Sequence, residues 1–146
     1  MKKFHLGLYP VLAFVLFTLN SCNKSDAVEK VTYTSVEIAG TYTLSSIIYT
    51  AHDSPTEDFT DTYLEICQQD DVYELKGDMT FNYTDAGEMC EPSGSYQSNW
   101  TLEGNMLGFD FYTMQIEKYD GKILVGSMSE TQNGHTHKLT FSFAKQ

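Results

Sequence analysis

Arginine is absent from the chain, and nine lysines stand against 20 acidic residues, leaving a formal net charge of −11 over 146 residues. A chain this acidic repels phosphate backbones, so nucleic-acid binding is excluded as its task. Proline is scarce, with three residues, and there are only three cysteines and one tryptophan. No GxSxG elbow, HExxH pair, phosphate loop or Ser-His-Asp order is present. Accordingly, no catalytic residue, no cofactor and no metal is assigned, and the chain is not expected to be an enzyme. No helical repeat extends beyond two turns after the first 21 residues.

What is present begins at the amino terminus. Lys2 and Lys3 precede an uncharged apolar run, Leu6 to Leu19, that is shorter than the roughly 20 residues needed to span a bilayer as a helix. Residues 1–21 read as a secretory signal peptide. The stretch Leu19-Asn20-Ser21-Cys22 resembles the lipobox of bacterial lipoproteins, with Asn20 departing from the commoner Ala or Ser. That resemblance implies acylation of Cys22, giving a membrane partner through a lipid anchor; two or three acyl chains suffice for stable anchoring. Residues 22–37 then form a polar tether. By the same resemblance to bacterial lipoproteins, Asn23 rather than Asp after the cysteine implies sorting to the outer membrane of the cell envelope, on either its periplasmic or its outer face.

Without residues 1–21 the chain has 125 residues, enough for one domain, and its 7 lysines against 20 acids give a net charge of −13. Lipidation of Cys22 leaves Cys67 and Cys90 as an even pair, expected to be bridged in an oxidising compartment. Closing that loop constrains the unfolded chain by about 3 kcal/mol. A two-cysteine metal site is the alternative, but no further Cys or His stands at ligand spacing.

From Ile38 onward the pattern is of short strands. Ile38 to Thr50 is rich in Tyr, Thr and Ile. Residues 51–58 are loop, and Phe59 to Ile66 reads as a strand, with a short helix as competitor. Val72 to Lys76 and Met79 to Tyr83 make a hairpin, with Gly77 at the first position of an expected two-residue turn. Gly94 to Leu102, Met106 to Tyr112, Met114 to Lys118, Lys122 to Glu130 and Thr136 to Ala144 follow. Asp120-Gly121 marks a hairpin, and residues 131–134 are loop. Eight strands, or nine, joined by short turns predict an all-β fold, an antiparallel up-and-down barrel over residues 38–146. Eight strands is the size whose interior holds core side chains or one small ligand.

Gly40-Thr41-Tyr42-Thr43-Leu44 resembles the G-x-W opening of lipocalins, with Tyr42 where Trp usually sits. Cys67 to Phe81, read as C-x-x-D-D-x-Y-x-L-x-x-D-M-T-F, is similar to a run in bacterial lipocalin-like envelope lipoproteins; Met79 stands where that run has its turn glycine. Cys90, then Gly94-Ser95-Tyr96 and Trp100-Thr101-Leu102, follow in the same order. The resemblance spans Ile38 to the C-terminus and implies an eight-stranded lipocalin-like barrel.

Several residues are candidates for a site. His135 and His137 share one strand face with Leu139, Phe141 and Phe143, which aims both toward one rim; two imidazoles fall short of a zinc site without a third ligand. Asp70-Asp71 fits a turn cap better than an acid/base or calcium pair. Asn82 and Asn99 open sequon patterns that are coincidental in a bacterial lipoprotein. Aromatics are the main lead. Of 20 in the chain, sixteen lie beyond residue 21, and Tyr42, Phe81, Trp100, Phe109, Phe111, Phe141 and Phe143 either fill the barrel or line a cavity for a small hydrophobic ligand. The competing expectation is a filled barrel that contacts another envelope protein.

Overall fold

The structure, a computed structural model, describes residues 32–52, 54–92 and 94–146. The signal peptide and Cys22 lie outside the described residues, as does the tether up to residue 31. Helix α1 (Ser35–Ile38) precedes strand β1 (Gly40–Ala51); β2 (Glu57–Asp58), helix α2 (Thr60–Tyr63) and a 3-10 turn (Ile66–Gln68) lead to β3 (Val72–Leu75) and β4 (Thr80–Thr84). Strands β5 (Tyr96–Asn99), β6 (Thr101–Glu103), β7 (Met106–Phe109), β8 (Tyr112–Tyr119), β9 (Ile123–Gln132) and β10 (His135–Lys145) complete the chain. Among the described residues no helix is long and apolar enough to cross a membrane.

The strands run in the order β5-β4-β3-β1-β10-β9-β8-β7-β6, all neighbours antiparallel. The two ends of that order, β5 and β6, are one stretch of chain interrupted at Trp100. The sheet therefore curls into a nearly closed barrel whose eighth staff is the bent run from Tyr96 to Glu103. First and last strands pair along Tyr42–Ala51 and His137–Lys145. This is the expected up-and-down meander.

Alternation alone does not give the core. In β1, Tyr42 and Leu44 point inward; a bulge at Ser45 then shifts the parity so that Ile47 and Tyr49 do. The Ser45 hydroxyl donates to the Ser142 carbonyl at 2.8 Å. A second bulge, at Glu117, changes the parity of β8 between Ile116 and Tyr119; Glu117 is held there by the Ser127 hydroxyl at 2.6 Å and Lys138 at 3.1 Å.

Two expectations need correction. Phe59 to Ile66 is not a strand: it holds α2 and runs into the 3-10 turn. Asp58 accepts from the Thr60 amide at 2.9 Å, and the Thr60 hydroxyl accepts from the Ile47 amide at 2.9 Å, so the segment is stitched across β1 as a helical turn. The turn between β3 and β4 is also different. Lys76 and Thr80 flank three residues, the Met79 amide donates to the Lys76 carbonyl at 3.0 Å, and Met79, not Gly77, takes the left-handed conformation at φ 68°. That is a type I turn closed by a bulge residue. Met79 occupies the position where the resembling sequences carry glycine.

One end of the barrel is shut. Ile38 is fully buried, Thr34 and Glu37 form a capping box on α1, and the Tyr42 hydroxyl donates to the Ile38 carbonyl at 2.5 Å. Tyr33 packs edge-on against Tyr119 at 6.1 Å, so Tyr33 to Glu37, expected within the tether, are docked on the barrel. Trp100 is 1% exposed, its indole N–H donating to the Lys76 carbonyl at 2.8 Å. Above it Tyr42, Leu75, Phe81, Leu107, Met114 and Phe143 pack the lower barrel.

Candidate functional site

The opposite end is open, and it is where β1 ends, β3 and β5 begin, and the β7–β8 and β9–β10 turns lie. Three adjoining clefts occupy it. The widest, about 490 Å³, lies between Tyr49, Tyr63, Met128, Glu130, His137 and Leu139. A more apolar one of about 250 Å³ is bounded by Ile47, Leu64, Tyr112, Met128, Leu139 and Phe141. The third, about 180 Å³, is lined by Tyr73, Tyr83, Tyr96, Asp110 and Tyr112. Tyr63 of α2 borders all three, and Leu64, Phe111 and Tyr112 are shared by the second and third.

Aromatic stacking positions the first cleft. Tyr49 stacks on Phe59 at 5.0 Å between ring centres, Phe59 leans on Tyr63 at 5.7 Å, and the Tyr49 hydroxyl lies 2.6 Å from His137 Nδ1. The third cleft is built by register. Tyr73, Tyr83 and Tyr96 stand directly opposite one another on β3, β4 and β5, with ring centres 5.5 and 5.3 Å apart. Tyr96 donates to Asp110, and Tyr83 donates to Asp71. Burial pushes the Asp110 carboxyl up to about 6, against the opposing pull of the Phe111 amide. Burial likewise raises Asp71, with the Tyr83 hydroxyl and Ala86 amide pulling the other way. Burial also holds the phenols of Tyr73, Tyr83 and Tyr112 above their ordinary range.

Cys67 and Cys90 are bonded, with Cα atoms 5.2 Å apart. The disulfide ties the 3-10 turn after α2 to the β4–β5 loop. Around it, Asp85 accepts from the Cys90 amide at 3.2 Å and the Gly94 amide at 3.1 Å. Asp70 accepts from the Glu88 amide and Asp71 from the Ala86 amide, both at 3.2 Å. The two aspartates of the C-x-x-D-D run thus hold the loop that carries Cys90. Among the described residues, the one cluster of metal-ligand type is Glu65, Cys67 and Cys90, whose sulfurs are bonded to each other and offer no thiolate.

The aromatics singled out from the sequence separate into two groups. Phe141 lines the apolar cleft, and Phe111, 91% exposed, stands at the rim beside it. Tyr42, Phe81, Trp100, Phe109 and Phe143 are buried and border none of the three clefts. His137 lines the widest cleft; His135 is exposed and faces His52 with ring centres 6.0 Å apart.

Residues 38–142 match the family model of the lipocalin-like domain. The chain belongs to the lipocalin-like domain family. No curated protein and no solved structure matches the chain. Within this lipocalin-like barrel, the mouth residues not singled out from the sequence include Tyr49, Tyr63, Met128 and Asp110, together with the tyrosine row Tyr73, Tyr83 and Tyr96. Tyr49 was concealed by the Ser45 bulge and Tyr63 by the strand-like spacing of its segment. Asp110 sits at φ 51° in the β7–β8 turn, which looks like continuous strand in Phe109-Asp110-Phe111-Tyr112.

Proposed function

We propose that this lipocalin-like protein is a non-enzymatic binding protein of the bacterial cell envelope, held to a membrane through lipidated Cys22, that carries a small hydrophobic molecule in the mouth of its barrel. The observation that carries this reading is the run of three adjoining clefts over a filled lower barrel, with Tyr63 common to all of them. Concave, largely apolar sites with a few placed polar groups are what small ligands occupy. Here the apolar walls are Ile47, Leu64, Met128, Leu139 and Phe141, and the polar groups are the Tyr49–His137 pair and Asp110. Native mass spectrometry of the purified protein tests this: a co-purified small molecule, or an adduct with an added lipid, is the expected result. Repeated spectra of bare protein, with no stabilisation by any lipid, would overturn it.

A second reading rests on the rim. Phe111, Ile66, Met89 and Tyr63 are all more than half exposed around the mouth, and a protein partner covering them would bury an apolar ring. A partner captured by cross-linking from residue 89, and lost when Phe111→Ser is added, favours that reading.

A further inference from the structure

We propose that the mouth selects an organic cation, an amphiphile whose ammonium group seats among Tyr73, Tyr83, Tyr96 and Asp110 and whose hydrocarbon lies in the adjoining apolar cleft. This rests on the small-ligand reading above and names the ligand's chemical class. The third cleft is a tyrosine wall, three rings in one register row, with Tyr112 closing it at 6.3 Å from Tyr73. Aromatic faces attract ammonium groups within about 6 Å of their centres, and a desolvated site strengthens the attraction.

The charge of the site agrees. Asp110 is half-buried, and none of the described lysines forms an ion pair with it. Lys76, Lys118, Lys122 and Lys145 cluster at the shut end, in or beside the turns and strand ends there. Lys138 lies on the face of β10 opposite His137 and is held by Glu117 at 3.1 Å. A carboxylate drawn out of water with no cationic neighbour is unfavourable, and a bound ammonium supplies the missing charge. Leu64 and Tyr112 border both this cleft and the apolar one, so head and tail of one molecule reach the two together. A fatty acid carboxylate in the same place would face Asp110.

Calorimetric titration of the purified protein at physiological ionic strength tests the idea with three probes of equal chain length below their micelle thresholds: dodecyltrimethylammonium, dodecanol and dodecanoate. The ammonium is expected to bind about tenfold more tightly than the alcohol, with dodecanoate weakest. Asp110→Asn should reduce ammonium affinity by about tenfold and change dodecanol affinity several-fold less, so that the ratio between the two probes falls. Glu103→Gln, at the shut end, should alter neither, which separates the site from general attraction to an acidic surface. Tyr96→Leu, removing one ring of the wall, should also lower ammonium affinity and serves where Asp110→Asn does not fold. Equal binding of all three probes, or an equal response of all three to the variants, overturns the cation proposal and leaves the small-ligand reading standing. No binding of any probe overturns both.

Discussion

Gly40 and Lys145 meet at the seam where the first and last strands close the barrel. A methyl group on Gly40 would lie 2.2 Å from Lys145 Cε. The ammonium beyond it donates to the Ala39 carbonyl at 2.8 Å and the Tyr119 hydroxyl at 2.8 Å, and stands 5.6 Å from the centre of the Tyr42 ring. The glycine and the aromatic of the G-x-Y opening thus have one physical cause: both make room for, or a face to, the same lysine.

Gly40→Ala should therefore cost about 0.5–1.5 kcal/mol, because the Lys145 ammonium must leave its hydrogen-bond partners to clear the methyl group. In a Lys145→Ala background the same change should cost clearly less, and urea unfolding of the four proteins gives the coupling directly. Additive costs would show that the two residues do not depend on each other.

The same crowding recurs inside the barrel. A Cβ on Gly126 would sit 2.1 Å from Met114 Sδ and 2.7 Å from its Cγ. Gly126→Ala is expected to lose about 1–3 kcal/mol of stability, and to cost clearly less in a Met114→Ala background, where the added methyl group has room. Equal costs in the two backgrounds by urea unfolding would show that the crowding is not with Met114.

Replacing Cys67 and Cys90 together by serine should lower stability by about 2–5 kcal/mol. Since the bond fastens the turn after α2, amide hydrogen exchange should accelerate first in residues 59–68 and 84–92, ahead of β9 and β10. Uniform acceleration across the barrel would contradict a local clamp.

Asp110 makes stability depend on pH in a defined direction. Its folded carboxyl is raised from the ordinary 3.8 to about 6, so the folded state takes up the proton first. Its contribution is fully present below about 4 and is lost as pH rises through about 6. The groups around it are Tyr96, Tyr73, Tyr83 and Tyr112, with Asp71 reached through Tyr83; all are retained in Asp110→Asn. Wild type minus Asp110→Asn stability, from urea midpoints, should fall between pH 4 and 7. A flat difference would show that burial does not hold this carboxyl.

The meander, the paired cysteines and the shared face of His137, Leu139, Phe141 and Phe143 were legible because alternation and cysteine parity are local signals. What escaped was set by tertiary contact. Serine at position 45 gives no sign that it is a bulge, yet it decides that Tyr49 rather than Ile48 faces the mouth. Phe59 to Ile66 alternates like a strand, but Asp58, Thr60 and the tie from Cys67 fold it into a helical turn. Asn133-Gly134, expected as part of a four-residue loop, is a tight turn: both residues have positive φ, 53° and 79°, the signature of a type I′ turn. That turn extends β9 and β10 to Gln132 and His135.

Leu139 is the most direct probe of the mouth as the binding site, since it borders both the widest and the apolar cleft. Titration of the neutral fluorophore N-phenyl-1-naphthylamine into wild type and Leu139→Trp measures it. Filling the clefts with indole should weaken binding by about tenfold while the circular dichroism spectrum stays that of the wild type. Unchanged affinity in a folded Leu139→Trp protein would contradict the account.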